Sequence, residues 1–164
     1  DISPRRISLQ ISGARARNIS IQPVKVCDIS VSVVDDSAIN VFADGNRLAV
    51  TSGMMRFAAE DEELALVVSH KIAHNAMGHV SYLTFSTRFE SRADNVGLYI
   101  MARGGYKISH ALTFWRRVAT VSSGGISHTT DHPTSPERFL SLSNSVTEIQ
   151  NKVRRNQSLT PNFR

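Results

Sequence analysis

Between Ile29 and Asp35 apolar and polar residues alternate and valine is frequent, the period-two pattern of a strand. Asp35-Asp36-Ser37 reads as a turn, Ala38 to Ala43 as extended chain, and Asp44-Gly45-Asn46 as a second turn. Arg47 to Thr51 then gives a second strand, so a small hairpin-like sheet is expected early in the chain. Ahead of it, residues 1–25 mix polar and apolar positions around the breakers Pro4 and Pro23, with a first helix over Ile7 to Ala16. After Thr51 the pattern turns helical. Ser52 is placed to cap a short helix through Phe57. Asp61-Glu62-Glu63 puts negative charge where the dipole of a long helix favours it. That helix runs to about His79, with Leu64, Val67, Val68, Ala73 and Met77 on its apolar face. A third helix covers Thr87 to Arg103 and stops at Gly104-Gly105, and a fourth covers Ser109 to Val121. Ser122 to Pro133 reads as a loop. Ser135 offers a capping hydroxyl ahead of Pro136 at the first helical position, and this last helix extends to about Arg155. The tail after Gln157 is expected to fray. Strands followed by helices make an α+β fold. We expect a single domain over residues 1–164, with residues 1–25 and the tail after Gln157 peripheral.

Composition permits such a fold. The chain has 164 residues, 41% apolar and 20% charged, enough to bury a core without cross-links and too apolar for disorder. Cys27 is the only cysteine, so no intramolecular disulfide can form, and it reads as a small buried hydrophobe. No apolar run is long enough to span a bilayer, and no secretory signal is visible. The chain starts at Asp1 and not at methionine, so a targeting segment or anchor could precede it in the full protein. The net charge is +5, with much of the excess near the ends in Arg5, Arg6, Arg15, Arg17, Lys152, Arg154, Arg155 and Arg164. Aromatic residues are not interleaved with these, and no nucleic-acid motif appears, so no nucleic-acid partner is expected. A solvated basic surface accounts for the charge, with contact to an anionic membrane surface as the functional alternative.

His70 and His74 change the picture. Four residues apart on the strongest helix, their imidazoles project from one face about one turn apart. That spacing suits two ligands of a tetrahedral zinc and is half of the H-E-x-x-H signature. Taken alone it is weak, because two histidines so spaced also serve as structural or surface residues. Glu90 and Asp94 are again four apart, on the next helix. A hairpin of the two helices would bring Glu90 to a metal as third ligand. Asp94 could accept the remaining ring N–H of a ligand histidine, which fixes the tautomer. The bland alternative is a solvated acidic and basic helix surface.

The chain resembles the zinc metallopeptidase family of HtpX, BepA and the CAAX prenyl endopeptidases. The residues that carry the resemblance are Ile39-Asn40-Val41-Phe42-Ala43, Thr51-Ser52-Gly53-Met54-Met55, Asp61-Glu62-Glu63-Leu64-Ala65, His70-x-x-Ala73-His74, Glu90-x-x-Ala93-Asp94, and His132-Pro133 followed by Arg138. Each is weak singly; their order makes the match specific. The resemblance implies a zincin-like metallopeptidase domain, a small sheet followed by a helical bundle, with one zinc per chain held by His70, His74 and Glu90. It also implies that Asn40 sits near a bound peptide, that His132 stabilises the oxyanion, and that Arg138 pairs with an acidic residue such as Glu90 to hold the ligand shell. The implied partner is a polypeptide, unfolded or membrane-associated, and the implied location a bacterial periplasm or cell envelope.

Two departures stand out. The family has glutamate after the first histidine, where it takes a proton from the attacking water; this chain has Lys71. An ammonium carries donors only and cannot accept that proton. It could also pair with Glu90 and displace the zinc. The expected function is therefore a metalloendopeptidase scaffold with little or no activity; the alternative is a non-catalytic module that grips an extended peptide beside Asn40 by strand addition. The connection from His74 to Glu90 is also shorter than is common in the family. His79 reads as a surface or outer-shell residue, and His110 and His128 carry no motif.

Overall fold

The computed structural model describes residues 29–44, 47–79, 87–122 and 135–162. The expected helix over Ile7 to Ala16, Cys27, Gly45-Asn46, His128, His132 and most of the loop after Ser122 lie outside these residues. In chain order the elements are β1 (Ser30–Val34), β2 (Val41–Ala43), β3 (Arg47–Thr51), α1 (Ser52–Phe57), α2 (Asp61–Ala76), α3 (Thr87–Arg103), α4 (Ala111–Ser122) and α5 (Pro136–Arg154). This is an α+β arrangement, a small sheet and a mostly helical body.

The sheet differs from the expected hairpin. It has three strands in the order β1-β3-β2. β2 and β3 run antiparallel, with Val41 opposite Val50 and Ala43 opposite Leu48, while β1 runs parallel to β3, with Ser30 opposite Arg47 and Val34 opposite Thr51. Alternation reveals a strand but not its neighbour. What places β3 in the centre is the anchoring of the segment after β1 to the end of β3. Ser52 Oγ donates to Asp35 Oδ1, Gly53 N donates to Asp36 O, and Thr51 Oγ1 reaches Ala38 O at 2.6 Å and Asn40 O at 2.9 Å. The cap of α1 is correspondingly Thr51, whose hydroxyl accepts from Met54 N, and not Ser52, whose hydroxyl is turned back toward β1.

Val41, Leu48 and Val50 on one sheet face pack with Leu64, Val67 and Val68 of α2, Leu98 and Met101 of α3, Phe114 of α4, and Leu142 and Ile149 of α5 in a continuous core. α2 is the central helix, buried without a break from Glu63 to His70, because sheet and helices surround it. Burying an apolar side chain of this kind stabilises by roughly 1.5–3 kcal/mol, so α2 is fixed firmly in place. α3 can come close to it because Gly97 faces the α2 backbone: a Cβ there would lie 3.0 Å from His70 N and 3.1 Å from His70 Cα.

Over the described residues 158–162 the tail is held down instead of frayed. Arg103 Nε donates to Leu159 O at 2.8 Å, Lys152 Nζ to Thr160 O at 2.7 Å, and Asn162 Nδ2 to Glu148 Oε1 at 3.0 Å. No helix among the described residues is long and apolar enough to cross a membrane.

Candidate metal centre

The helical period brings His70 and His74 onto one face of α2, where both are buried. Their rings meet at 73° with centroids 4.7 Å apart, and their Nε2 atoms are 3.1 Å apart. α3 supplies Glu90, fully buried, with Oε2 3.4 Å from His70 Nε2 and Oε1 3.2 Å from His74 Nε2. Donor atoms of the three residues all lie within 4.8 Å of one another. The geometry can be tested against zinc. Ligands 2.0–2.1 Å from a tetrahedral ion stand about 3.4 Å from each other. The Nε2–Nε2 separation and the two Glu90 contacts, one from each carboxylate oxygen, are of that order, and two imidazoles with one carboxylate are a donor set that zinc accepts.

Around these three lies a buried polar shell. Asp94, one turn after Glu90, places Oδ1 2.9 Å from His70 Nδ1. Arg138, whose backbone N–H is capped by the Ser135 hydroxyl at the start of α5, donates from Nε to Asp94 Oδ2 at 2.7 Å and from Nη2 to Oδ1 at 3.0 Å. Its Nη1 lies 3.3 Å from Glu90 Oε2. The expected pairing with Glu90 is thus the longer of two, and Asp94 takes the bidentate contact, one oxygen to Nε and one to Nη2. Burial works to raise the pKa of Asp94, but the hydrogen bond with His70 and the charge of Arg138 outweigh it and hold the carboxyl below its ordinary value. For Arg138 burial acts to lower the pKa, and the Asp94 charge reverses this.

His74 is pushed the other way. Burial, followed by the neighbouring His70 and Lys71, lowers its pKa against the opposing pull of Glu90, so it sits as a neutral imidazole, the form that ligates. His79 is lowered too, by burial and then by His74 and Arg92. Lys71 itself is half-buried on α2. Asn40 stands immediately before the edge strand β2, half-buried, where its Oδ1 accepts from Val41 N at 2.7 Å and its own N–H donates to Thr51 Oγ1.

Two neighbours of the site carry no motif in the sequence. Trp115 of α4 packs its ring 5.1 Å from that of His70, and the Arg138 guanidinium lies over the indole at 4.9 Å. His79 reaches His74, with their Nδ1 atoms 3.2 Å apart. The chain pattern marks Trp115 only as an apolar position and leaves His79, at the expected helix end, between a surface and an outer-shell role. His110 is exposed and lies 3.3 Å from Glu60, away from the cluster.

The profile of peptidase family M48 matches residues 14–86 and 80–146, most of the chain, in two pieces that meet between His79 and Glu90. The mitochondrial metalloendopeptidase OMA1 of Schizosaccharomyces pombe is 21% identical over 184 aligned positions, which take in 88% of this chain and 55% of that protein. The chain therefore spans just over half the length of this curated relative. M48 peptidases depend on a metal, usually zinc, and act on polypeptides. With a buried His-His-Glu cluster and that profile running along most of its length, the chain belongs to peptidase family M48.

Proposed function

We propose that the chain is the core of a zinc-dependent endopeptidase for unfolded or membrane-associated polypeptides, with its water-activating base replaced by Lys71 so that it holds the metal and a peptide but does not cut. The convergence of His70 Nε2, His74 Nε2 and the Glu90 carboxylate at separations of 3.1–3.4 Å carries the reading. Zinc held there would supply an electrophile for a peptide carbonyl. Asp94 orients His70, Arg138 holds Asp94 and Glu90, and both contacts keep the ligands in place before any ion arrives. A peptide can add to the outer edge of β2, beside Asn40 and over the helix that carries the histidines. Lys71 stands where a proton acceptor is required and offers only donors.

The test has two steps. Elemental analysis of protein purified without chelator is expected to give about one zinc per chain, and Lys71→Glu is expected to convert a silent protein into one that hydrolyses an unfolded polypeptide. Zinc with no rescue by glutamate favours the pure binding module. Absence of zinc even after adding it back, in both proteins, overturns the metal reading.

A further inference from the structure

α2 ends at Ala76, and Met77 N–H closes back on Ala73 O. Gly78 then takes φ +68°, the left-handed conformation that glycine adopts readily after a helix. The turn returns the chain over the last helical residues, and His79 lands beside His74. Its ring tilts against Phe89, centroids 4.5 Å apart, and Phe89 directly precedes Glu90 on α3. His79 is thus placed from two sides, by the glycine turn and by an aromatic residue next to a candidate ligand.

The outcome is a line of contacts: Asp94 Oδ1 to His70 Nδ1 at 2.9 Å, His70 Nε2 to His74 Nε2 at 3.1 Å, and His74 Nδ1 to His79 Nδ1 at 3.2 Å. A neutral imidazole carries one N–H and one lone pair. A proton on His70 Nδ1 would face Asp94 Oδ1, 2.9 Å away, and leave a lone pair on Nε2. With no metal, the next contact needs His74 to carry its proton on Nε2, and the outer contact then needs His79 to donate from Nδ1. With a metal on both Nε2 atoms, His74 must carry its proton on Nδ1, and that proton needs an acceptor. His79 Nδ1 is 3.2 Å away and becomes that acceptor when its own proton sits on Nε2. The three rings hold three protons in either arrangement. The proton of His79 exchanges between its nitrogens through solvent, which its half-buried position permits.

We propose that His79 is a positioning residue of the metal centre: it accepts the Nδ1–H of His74 and so sets the tautomer in which His74 can be a ligand. The proposal rests on the metal reading above. It also makes the two histidines unequal, His70 backed by a carboxylate and His74 by an imidazole, so that His74 is the weaker donor.

The experiment is a zinc titration of chelator-stripped wild-type protein, His79→Ala and His79→Gln, with ring-nitrogen NMR of His74 and His79. Removing an outer partner of this kind costs about 10–100-fold in metal affinity. His79→Ala is expected to fall in that range, and His79→Gln, whose side-chain carbonyl can accept the same proton, to recover most of the loss. In wild-type protein, zinc is expected to move the His74 proton from Nε2 to Nδ1 and the His79 proton from Nδ1 to Nε2. Wild-type zinc binding with His79→Ala within twofold of it, or a His79 ring indifferent to zinc, overturns the proposal and leaves the metal reading standing. Wild-type protein that binds no zinc overturns the metal reading and takes the proposal with it.

Discussion

Replacing Asp94 by asparagine tests how the site is held together. The side chain keeps its shape but loses its charge. In the native chain the carboxylate is about 1% exposed and takes two hydrogen bonds from Arg138, at 2.7 and 3.0 Å, beside its contact with His70 at 2.9 Å. Asparagine has one oxygen for these donors and turns an amide N–H toward another donor. Arg138, itself 3% exposed, keeps a contact of 3.3 Å with Glu90. Removing one partner of a buried pair costs about 3–5 kcal/mol, since the remaining charge stays out of water. For a domain of this size each kcal/mol shifts Tm by roughly 2–4 °C. Asp94→Asn is therefore expected to lower the Tm of metal-free protein by about 6–20 °C, measured by circular dichroism. The paired change Asp94→Leu with Arg138→Met should cost much less than either single change, since no orphaned charge remains. A loss under about 2 °C for Asp94→Asn, or a double variant as unstable as the two singles summed, would refute the argument.

Gly97→Val places a branched side chain where even a bare Cβ would lie 3.0 Å from His70 N, so α3 must move away from α2. A loss of about 1–3 kcal/mol is expected, with weaker zinc binding, and Gly97→Ala should be milder; equal zinc affinity in Gly97→Val would show that helix spacing does not set the site. A second prediction concerns alkali. The hydrogen bond with Tyr99, then Glu148, raises the pKa of Lys152 above 10.5, while burial and then Glu148 raise that of Tyr99 above 10.0. Both groups have folded values above their unfolded ones, so their stabilisation is full below about pH 10 and is lost as pH rises through the folded values. The stability difference between wild type and Lys152→Met in urea should accordingly shrink from pH 8 to 11; a constant difference refutes the pairing.

The parts legible in the chain are those with local causes. α3 stops where Gly104-Gly105 follows it, β3 falls at its expected bounds, and Ser135 caps α5 as its position ahead of Pro136 implies. The spacing of four residues puts Asp94 on the Glu90 face of α3, and the structure sets it 2.9 Å from His70 Nδ1. What could not be read depends on contacts distant in sequence. The centring of β3 follows from Thr51 and Ser52 binding the segment after β1. Arg138 makes its two hydrogen bonds to Asp94 across 44 positions of the chain, which no local spacing encodes. The tail is pinned by Arg103 of α3 and by Glu148 and Lys152 of α5, and Lys152 reads from the chain as part of a solvated basic surface. The two pieces of the family match overlap at residues 80–86, in the connection between His79 and Glu90.

On the proposed reading, Lys71 would bear on the metal as well as on the proton. Glu90 and Asp94 carry two negative charges and Arg138 one positive, so the buried shell sums to −1. Counting the Lys71 ammonium, whose charge is felt at His74, the sum is zero before any ion is bound, and a dication raises it to +2. With glutamate at position 71 the same sum is −2 and a dication brings it to zero. A low-dielectric site magnifies this difference. Lys71→Glu is therefore expected to tighten zinc binding roughly tenfold or more, apart from any gain in hydrolysis. Lys71→Met, which removes the charge and adds no base, should fall between the two and remain without peptidase activity. Competition with a chromophoric chelator measures all three. Equal affinity in the three proteins would mean that the Lys71 charge is screened from the site. Lysine would then have cost this peptidase fold its base while leaving its hold on metal intact.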